Sequence, residues 1–272
     1  EGEEFTTRRD SSGAGQANAA GDLNGDGLMD VVIANTEVNS DTGVAQVIFG
    51  HSDSLTKVVG TTAGESLSGT ATGEQVIAGA GNDIVRAHGG NDVAKGGAGN
   101  DILSMSAGDD RGFGGNGNDK MVGAAGDDFL YGEDGNDLLA FGNGGGADYM
   151  DGGAGNDRFI LKGSDLGAGD KLLGGEGTRD VLIFSDNSTA DLTAADAVHG
   201  IERIVLRDGQ TATGTDDAFN WFGRGGAETI NAGAGNDIMR GSGGDDTLNG
   251  NGGNDILVGG AGADTIAGGA GF

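Results

Sequence analysis

The sequence has no cysteine and no proline, and among its 272 residues aromatic and basic side chains are scarce. The absence of cysteine excludes disulfides, thiolate metal sites and cysteine nucleophiles, so any structural staple is either non-covalent or a hard metal ion bound by oxygen. The absence of proline excludes a collagen helix. No run of about 18 apolar residues occurs, and EGEEFTTRRD at the N-terminus lacks the layout of a secretory signal. We therefore expect no membrane insertion.

Acidic residues and glycine, in contrast, are in large excess. The chain carries 43 acidic residues, 33 of them Asp, against 15 Lys and Arg, for a net charge of −28. This balance excludes a nucleic-acid partner, because phosphate contacts need a basic face. Glycine accounts for 61 residues, about three times its usual share of ~7%. Composition alone is typical of a disordered chain, or of one that needs something bound to hold it together.

A nine-residue period argues against disorder. Nine consecutive units run from Gly60 to Ala140 without an insertion, two looser units continue to Ile160, and a second block resumes near Gly223. Units such as GGNGNDKMV and GGAGNDILS share the pattern Gly-Gly-x-Gly-x-Asp-x-U-x, in which U is a large apolar residue. The glycines permit tight turns, and the x-U-x segment is long enough only for a strand. Two units then form one coil, U points inward, and residues 18 apart stack on each other.

This period predicts the residues that face inward and outward on two walls. The inward rows are Leu67, Val85, Leu103, Met121 and Leu139 on one wall, and Val76, Ala94, Gly112, Leu130 and Met150 on the other. Outward positions include apolar stripes, among them Ile77, Phe113, Phe129 and Tyr131. Strand propensity is one explanation of these stripes. The other is a buried seam against the second block, the segment between the blocks or a neighbouring subunit.

Position six of the repeat predicts metal ligands. Calcium takes six to eight oxygen ligands from carboxylates and backbone carbonyls, and glycine turns leave carbonyls free to face an ion. A single Asp is explained as a solvated turn residue, but turn chemistry does not require a carboxylate at one fixed phase of thirteen units. The thirteen candidates are Asp83, Asp92, Asp101, Asp110, Asp119, Asp128, Asp137, Asp148, Asp157, Asp237, Asp246, Asp255 and Asp264.

Pairs of these aspartates 18 residues apart predict seven sites. The pairs are 83/101, 92/110, 101/119, 110/128, 119/137, 237/255 and 246/264. Glu replaces Asp at positions 65, 74 and 228, in the first units of each block. Because terminal repeats cap an array and are atypical, we expect the sites there to be weak or empty.

The N-terminal segment GDLNGDGLMD predicts a separate calcium loop. Its oxygen ligands at positions 1, 3, 5, 7 and 9 are Asp22, Asn24, Asp26, the carbonyl of Leu28 and Asp30. An EF-hand would have Glu at position 12, where this chain has Ile33. The loop and the strands VVIAN and VIFG that follow resemble instead an FG-GAP repeat of integrin-alpha-type β-propellers. One such blade is compatible with a chain that begins inside a longer protein, or with a lone cap or docking element.

The nonapeptide array resembles the RTX (repeats-in-toxin) family over roughly 60–160 and 223–272. That resemblance implies a parallel β-roll around calcium in a bacterial protein that leaves the cell by type I secretion and folds outside it. We expect an all-β fold, a parallel β-roll or β-solenoid in two blocks, 60–160 and 214–272. An FG-GAP-like β element occupies 1–58, and an apolar, strand-rich insert at 161–213 joins or caps the blocks. The seven paired sites and the N-terminal loop together predict about eight or more calcium ions.

These features favour a structural function over catalysis. The sequence has no GxSxG elbow and no HExxH motif, so we expect no enzyme activity. The favoured function is an extracellular calcium-binding structural protein, a surface-layer, adhesin or matrix-filament subunit that folds and assembles on binding calcium. Its partners would be copies of itself in a homo-oligomer or filament, or cell-surface or matrix components. The alternative is a calcium-dependent secretion and folding module of a type I secreted enzyme or toxin whose catalytic domain lies outside this chain.

Overall fold

Short strands separated by glycine turns make a parallel β-solenoid, as predicted. A computed structural model describes residues 57–142, 144–195 and 197–271 with their side chains, and the backbone of five strand segments between 8 and 56. Two 3₁₀ turns, Gly163–Asp165 and Leu192–Ala194, interrupt the strands. Within the described part of the chain, no helix has the length and apolar character needed to cross a membrane.

Three sheets form the walls of the solenoid. Wall one contains the strands Ser66–Ser68, Ile84–Gly89, Ile102–Ala107, Lys120–Ala125, Leu138–Ala140, Arg158–Leu161, Val181–Phe184, Arg203–Val205, Asn220–Phe222, Ile238–Gly243 and Ile256–Ala261. Wall two contains the parallel strands Thr56–Val59, Glu74–Ala80, Val93–Ala98, Arg111–Asn116, Phe129–Asp134, Tyr149–Asp151, Lys171–Leu173 and Ala197–His199. Wall three contains Ala190–Asp191, Thr211–Thr213, Thr229–Asn231, Thr247–Asn249 and Thr265–Ala267.

Four N-terminal strands extend wall two in antiparallel order. They are Arg8–Arg9, Gly15–Gly21, Asp30–Asn35 and Val44–Phe49. Val44–Phe49 pairs antiparallel with Thr56–Val59, which in turn pairs parallel with the first repeat strand of this wall. The N-terminal element thus shares a sheet with the repeats.

The register stacks every second repeat, and the predicted inward rows are confirmed. Leu103 pairs with Val85 and Met121 on wall one, and Gly112 pairs with Ala94 and Leu130 on wall two. The inward apolar side chains belong to one buried cluster. Their burial is the apolar contribution to stability, at about 25 cal/mol per Å².

Wall two is thin at Gly112, and methionines of wall one fill the space. A methyl group added at Gly112 would lie 2.7 Å from Met121 Cε, 3.1 Å from Leu130 Cδ2 and 3.7 Å from Met105 Sδ. Met105 and Met121 are both fully buried. Because methionine adapts its unbranched chain to irregular space, it compensates for a missing side chain on the facing wall.

The insert at 161–213 continues the coil while one wall is exchanged for another. Leu182 and Ile204 continue the inward row of wall one, which then runs through Trp221 and Met239. Wall two ends at Ala197–His199, and wall three, which begins at Ala190–Asp191, takes its place. Wall one therefore passes through both repeat blocks without a break.

Candidate metal centres

The turns of each repeat owe their shape to glycines with different tasks. At positions two and four, Gly97 and Gly99 have φ of 108° and 138°, values that L side chains rarely adopt. At position one the constraint is space. A methyl group on Gly114 would lie 2.3 Å from Asp119 Oδ2 and 2.6 Å from the carbonyl oxygen of Gly132. The same pairing of a carboxylate oxygen from the glycine's own repeat with a carbonyl oxygen of the next coil occurs at Gly96, Gly132, Gly152, Gly241 and Gly250.

The position-six aspartates form ladders along both turn edges. In all seven predicted pairs, the backbone N–H of the earlier Asp donates to Oδ1 of the Asp 18 residues later, over 2.7–3.0 Å. Asp128 and Asp137 continue the ladders to Asp148 and Asp157 across a spacing of 20. The structure thus brings together the thirteen predicted repeat aspartates as stacked neighbours.

The second carboxylate oxygen of most of these side chains has no protein partner. Oδ2 is buried without a hydrogen bond in eleven of the thirteen, and likewise in Asp180 of the insert. The eleven are Asp83, Asp92, Asp101, Asp110, Asp119, Asp128, Asp137, Asp157, Asp237, Asp246 and Asp255. An unpaired buried carboxylate oxygen is costly, since its desolvation is not offset. A divalent cation would supply the missing partner.

The donor set fits calcium. A methyl group added at Gly96 would lie 2.3 Å from Asp101 Oδ2 and 2.6 Å from the carbonyl oxygen of Gly114. As at Gly114 and Asp119, a carboxylate oxygen and a backbone carbonyl oxygen therefore lie close together in this turn. The described residues contain no group of three His, Cys, Asp or Glu side chains suited to a metal. A site here draws the rest of its ligands from backbone carbonyls, and a hard, oxygen-seeking ion with flexible coordination suits that arrangement.

Burial raises the pKa of eight of the ladder aspartates well above the ordinary value of 3.8. Desolvation is the main cause, repulsion from neighbouring carboxylates adds to it, and the backbone N–H bond opposes it. The pKa rises to about 7 for Asp92, Asp128 and Asp137. It rises to about 6 for Asp110, Asp119, Asp148, Asp157 and Asp237. Without a cation, the fold disfavours the charge that these residues would carry in water.

The glutamates at the first units of each block differ from the aspartates. Both carboxylate oxygens of Glu65 accept from the N–H of Thr61, at 3.0 and 2.9 Å. Those of Glu228 accept from Gly209 N–H and Arg224 N–H, at 2.7 and 3.1 Å. A carboxylate with its own protein donors has less need of a cation, which supports the expectation that these outer sites bind weakly.

Two further aspartates in the insert belong to the ladders, and the period of 18 did not identify them as ligands. Asp148 N–H donates to Asp170 Oδ1 at 2.8 Å, and Asp157 N–H donates to Asp180 Oδ1 at 2.7 Å. Their spacings are 22 and 23 residues. The segments GDKLL and RDVLI keep an Asp two residues before an inward leucine, so the Asp-x-U pattern, followed without a fixed period, would have found them.

A second, outer ladder occupies position five. Asn82 Oδ1 accepts from Asn100 N–H at 2.8 Å, and Asn100 Oδ1 accepts from Asn118 N–H at 2.7 Å. On the other edge, Asn91 Oδ1 accepts from Asp109 N–H and Asp109 Oδ1 accepts from Asp127 N–H, each at 3.0 Å. The direction is opposite to that of position six, so each turn is tied to both of its neighbours. In the sequence, the recurring Asn-Asp and Asp-Asp pairs at positions five and six could have identified this outer ladder.

The N-terminal loop falls largely outside the described residues. Asp22, Asn24, Asp26 and Leu28 lie there, and Asp30 is described only as the first backbone position of Asp30–Asn35. The predicted calcium loop therefore stays a prediction.

The close contacts around Gly114 allow a direct test of whether the space at position one belongs to a metal centre. We expect Gly114→Ala to push Asp119 Oδ2 out of place, to weaken calcium binding at that turn, and to cost about 1–3 kcal/mol of stability through overpacking. Calcium isotherms from calorimetry and melting at saturating calcium would measure both effects.

Gly225→Ala is the matched control. Its added methyl meets nothing within 4 Å, and its φ is ordinary. We expect wild-type calcium binding and melting from this variant. Equal behaviour of the two variants would show that the space at position one is not part of a metal centre.

The fold and its turns define a calcium-binding parallel β-solenoid, and comparison with known families agrees. The model of the RTX calcium-binding nonapeptide repeat matches residues 68–103, 104–139, 143–159, 222–257 and 249–271, together just over half of the chain. The chain therefore belongs to the family of RTX calcium-binding nonapeptide repeat proteins. The FG-GAP repeat model matches residues 14–48. No curated protein matches the chain.

Proposed function

We propose that this chain is an extracellular structural protein that folds and assembles when it binds calcium, a surface-layer, adhesin or matrix-filament subunit. The observation that carries the proposal is the double row of buried, unpartnered carboxylate oxygens along the turn edges. Because the apolar core is only two side chains thick, the ions that satisfy these oxygens supply much of the folding free energy.

The charge of the chain supports an extracellular location. A chain of net charge −28 repels itself until cations neutralise it. Family membership adds to this, because secretion in an unfolded state followed by folding in millimolar calcium is what the RTX resemblance implies. The absence of cysteine is compatible with a fold whose staples are ions.

The use of buried polar groups supports a structural protein and not an enzyme. Among the described residues, the buried polar side chains are the turn carboxylates and Gln210. Gln210 is itself a turn residue, whose amide donates to the carbonyl of Ser188 at 2.8 Å and whose Oε1 accepts from Arg207 N–H at 2.9 Å. The buried polar side chains of the described residues therefore all belong to turns.

Sedimentation velocity of the chain with and without calcium tests the proposal. We expect an expanded monomer in chelator, and a folded, self-associating species in millimolar calcium. A chain that folds with calcium but stays monomeric at all concentrations would contradict the structural-subunit proposal and favour a secretion and folding module of an exported enzyme.

A further inference from the structure

The outward face of wall two carries aromatic rings stacked along the solenoid axis. Phe113 and Tyr131 stack with centroids 5.2 Å apart and an interplanar angle of 7°. Phe129 stacks on Tyr149 at 5.9 Å, and Tyr131 lies 5.4 Å from Tyr149. All four rings are half-buried. Neighbouring rings therefore contact each other through their faces along the solenoid axis.

Cations and an anion border these rings. Lys95 Nζ lies 5.3 Å from the centroid of Phe113, and the Arg111 guanidinium lies 5.1 Å from that of Phe129. At the other end, Tyr149 OH donates to Asp151 Oδ2 at 3.2 Å. Lys95 and Arg111 thus lie on the N-terminal side of the rings, and Asp151 lies on the C-terminal side.

The insert and the second block extend the walls of the solenoid and do not cover this face. Lys171–Leu173 and Ala197–His199 of the insert add strands beyond Tyr149–Asp151. The second block continues walls one and three. Of the covers that the sequence suggested, a neighbouring subunit is the one that these described segments leave open.

The order of outward residues along this face is self-complementary. One outward column contains, in register, Ile77, Lys95, Phe113, Tyr131, Asp151 and Leu173. Consider a second copy related to the first by a twofold axis that is parallel to the strands and lies between the strands of Phe113 and Tyr131. The solenoid of the second copy then runs in the opposite direction. This axis places Phe113 opposite Tyr131, Lys95 opposite Asp151, and Ile77 opposite Leu173.

The neighbouring outward column obeys the same symmetry. It contains Gln75, Val93, Arg111, Phe129, Tyr149 and Lys171. The same axis places Arg111 opposite Phe129, a cation opposite an aromatic ring. It also places Val93 opposite Tyr149 and leaves no like charges facing each other in either column.

We propose that this face binds a second copy of the chain in an antiparallel, twofold-symmetric dimer. An isologous interface requires one surface to complement itself, and this face does so in charge, aromatic character and apolar character. Six rungs span roughly 24 Å. With two outward columns about 7 Å apart, the contact covers roughly a few hundred Å² per partner. Because this is below the ~800 Å² of a standard interface, dimerisation is expected at micromolar concentrations or above. The inference rests on the calcium-dependent fold and assembly proposed above, and names the contacting surface.

A charge swap followed by sedimentation equilibrium in millimolar calcium tests the pairing of Lys95 with Asp151. We expect Lys95→Glu to weaken self-association by about tenfold or more, because two carboxylates then face each other at each end. The double variant Lys95→Glu with Asp151→Lys should restore wild-type association. Lys120→Glu changes an exposed lysine on wall one and should leave association unchanged, as the matched control. Replacing Phe113 and Tyr131 together by Ser should also reduce association.

The outcomes separate this inference from the proposed function. Circular dichroism first verifies that each variant folds with calcium. Association that is weakened by Lys95→Glu and restored by the double swap supports the antiparallel face. If all variants associate as strongly as the wild type, this face is not the interface, and the proposed function is unaffected. A folded wild-type monomer, or a chain that calcium does not fold, overturns both.

Discussion

In the absence of calcium, the chain is expected to lose β-structure as the pH rises from about 4 to about 8. Eight ladder aspartates have a folded-state pKa of about 6 or about 7. Their unfolded value is near 3.9. The folded, calcium-free chain therefore binds protons more tightly than the unfolded chain. The resulting stability is fully present below the unfolded pKa and disappears as the pH rises through the folded values.

Far-UV circular dichroism in chelator across this pH range measures the effect. High monovalent salt serves as the control, because it screens general repulsion between exposed charges but leaves the protonation of buried groups in place. With calcium present the direction reverses, since protons compete with the ion for the same carboxylates. A calcium-free chain whose β-structure is unaffected by pH, or increases toward alkaline pH, would contradict the buried-carboxylate account.

Asp119→Asn is expected to remove calcium from two adjoining turns, roughly two ions in all. Asp119 Oδ1 accepts from Asp101 N–H, while its own N–H donates to Asp137 Oδ1, both at 2.7 Å. The asparagine keeps an oxygen for the first bond and leaves the second untouched. What changes is Oδ2, the buried oxygen without a partner, which becomes an NH₂ group. Calcium stoichiometry by equilibrium dialysis or native mass spectrometry measures the loss.

Asp109→Asn removes the same charge from the outer ladder and is the matched control. Asp109 is exposed, and its Oδ1 accepts from Asp127 N–H at 3.0 Å, a bond that Asn makes at the equivalent positions of the other edge. We expect this variant to bind the full complement of calcium. If Asp119→Asn bound as many ions as Asp109→Asn, position six would not be the metal ligand.

The regular part of this fold follows from the sequence because one period encodes turn, strand and ligand together. The positions of Asp101 and Leu103 within their unit fix a turn-edge carboxylate and an inward side chain, and most units repeat both. The seven Asp pairs and both inward rows could therefore be deduced without a structure.

The irregular coils could not be deduced in the same way. Asp170 and Asp180 join the ladders through spacings of 22 and 23, because the extra residues lie in loops that leave the stacking unchanged. The exchange of wall two for wall three depends on how the insert closes its coil. The filling of Gly112 by Met121 depends on contacts across the core. None of these is encoded in a local period.

Calcium titration of the chelated chain at neutral pH, followed by far-UV circular dichroism, tests the central claim most directly. We predict little β-structure in chelator, a cooperative gain as calcium is added, and no comparable gain with magnesium. Magnesium demands near-ideal octahedral geometry and keeps its waters, which a turn lined by carbonyls and glycines does not accommodate. A chain that is fully β-structured in chelator, or that folds equally well with magnesium, would contradict the claim that calcium in the repeat turns holds this solenoid together.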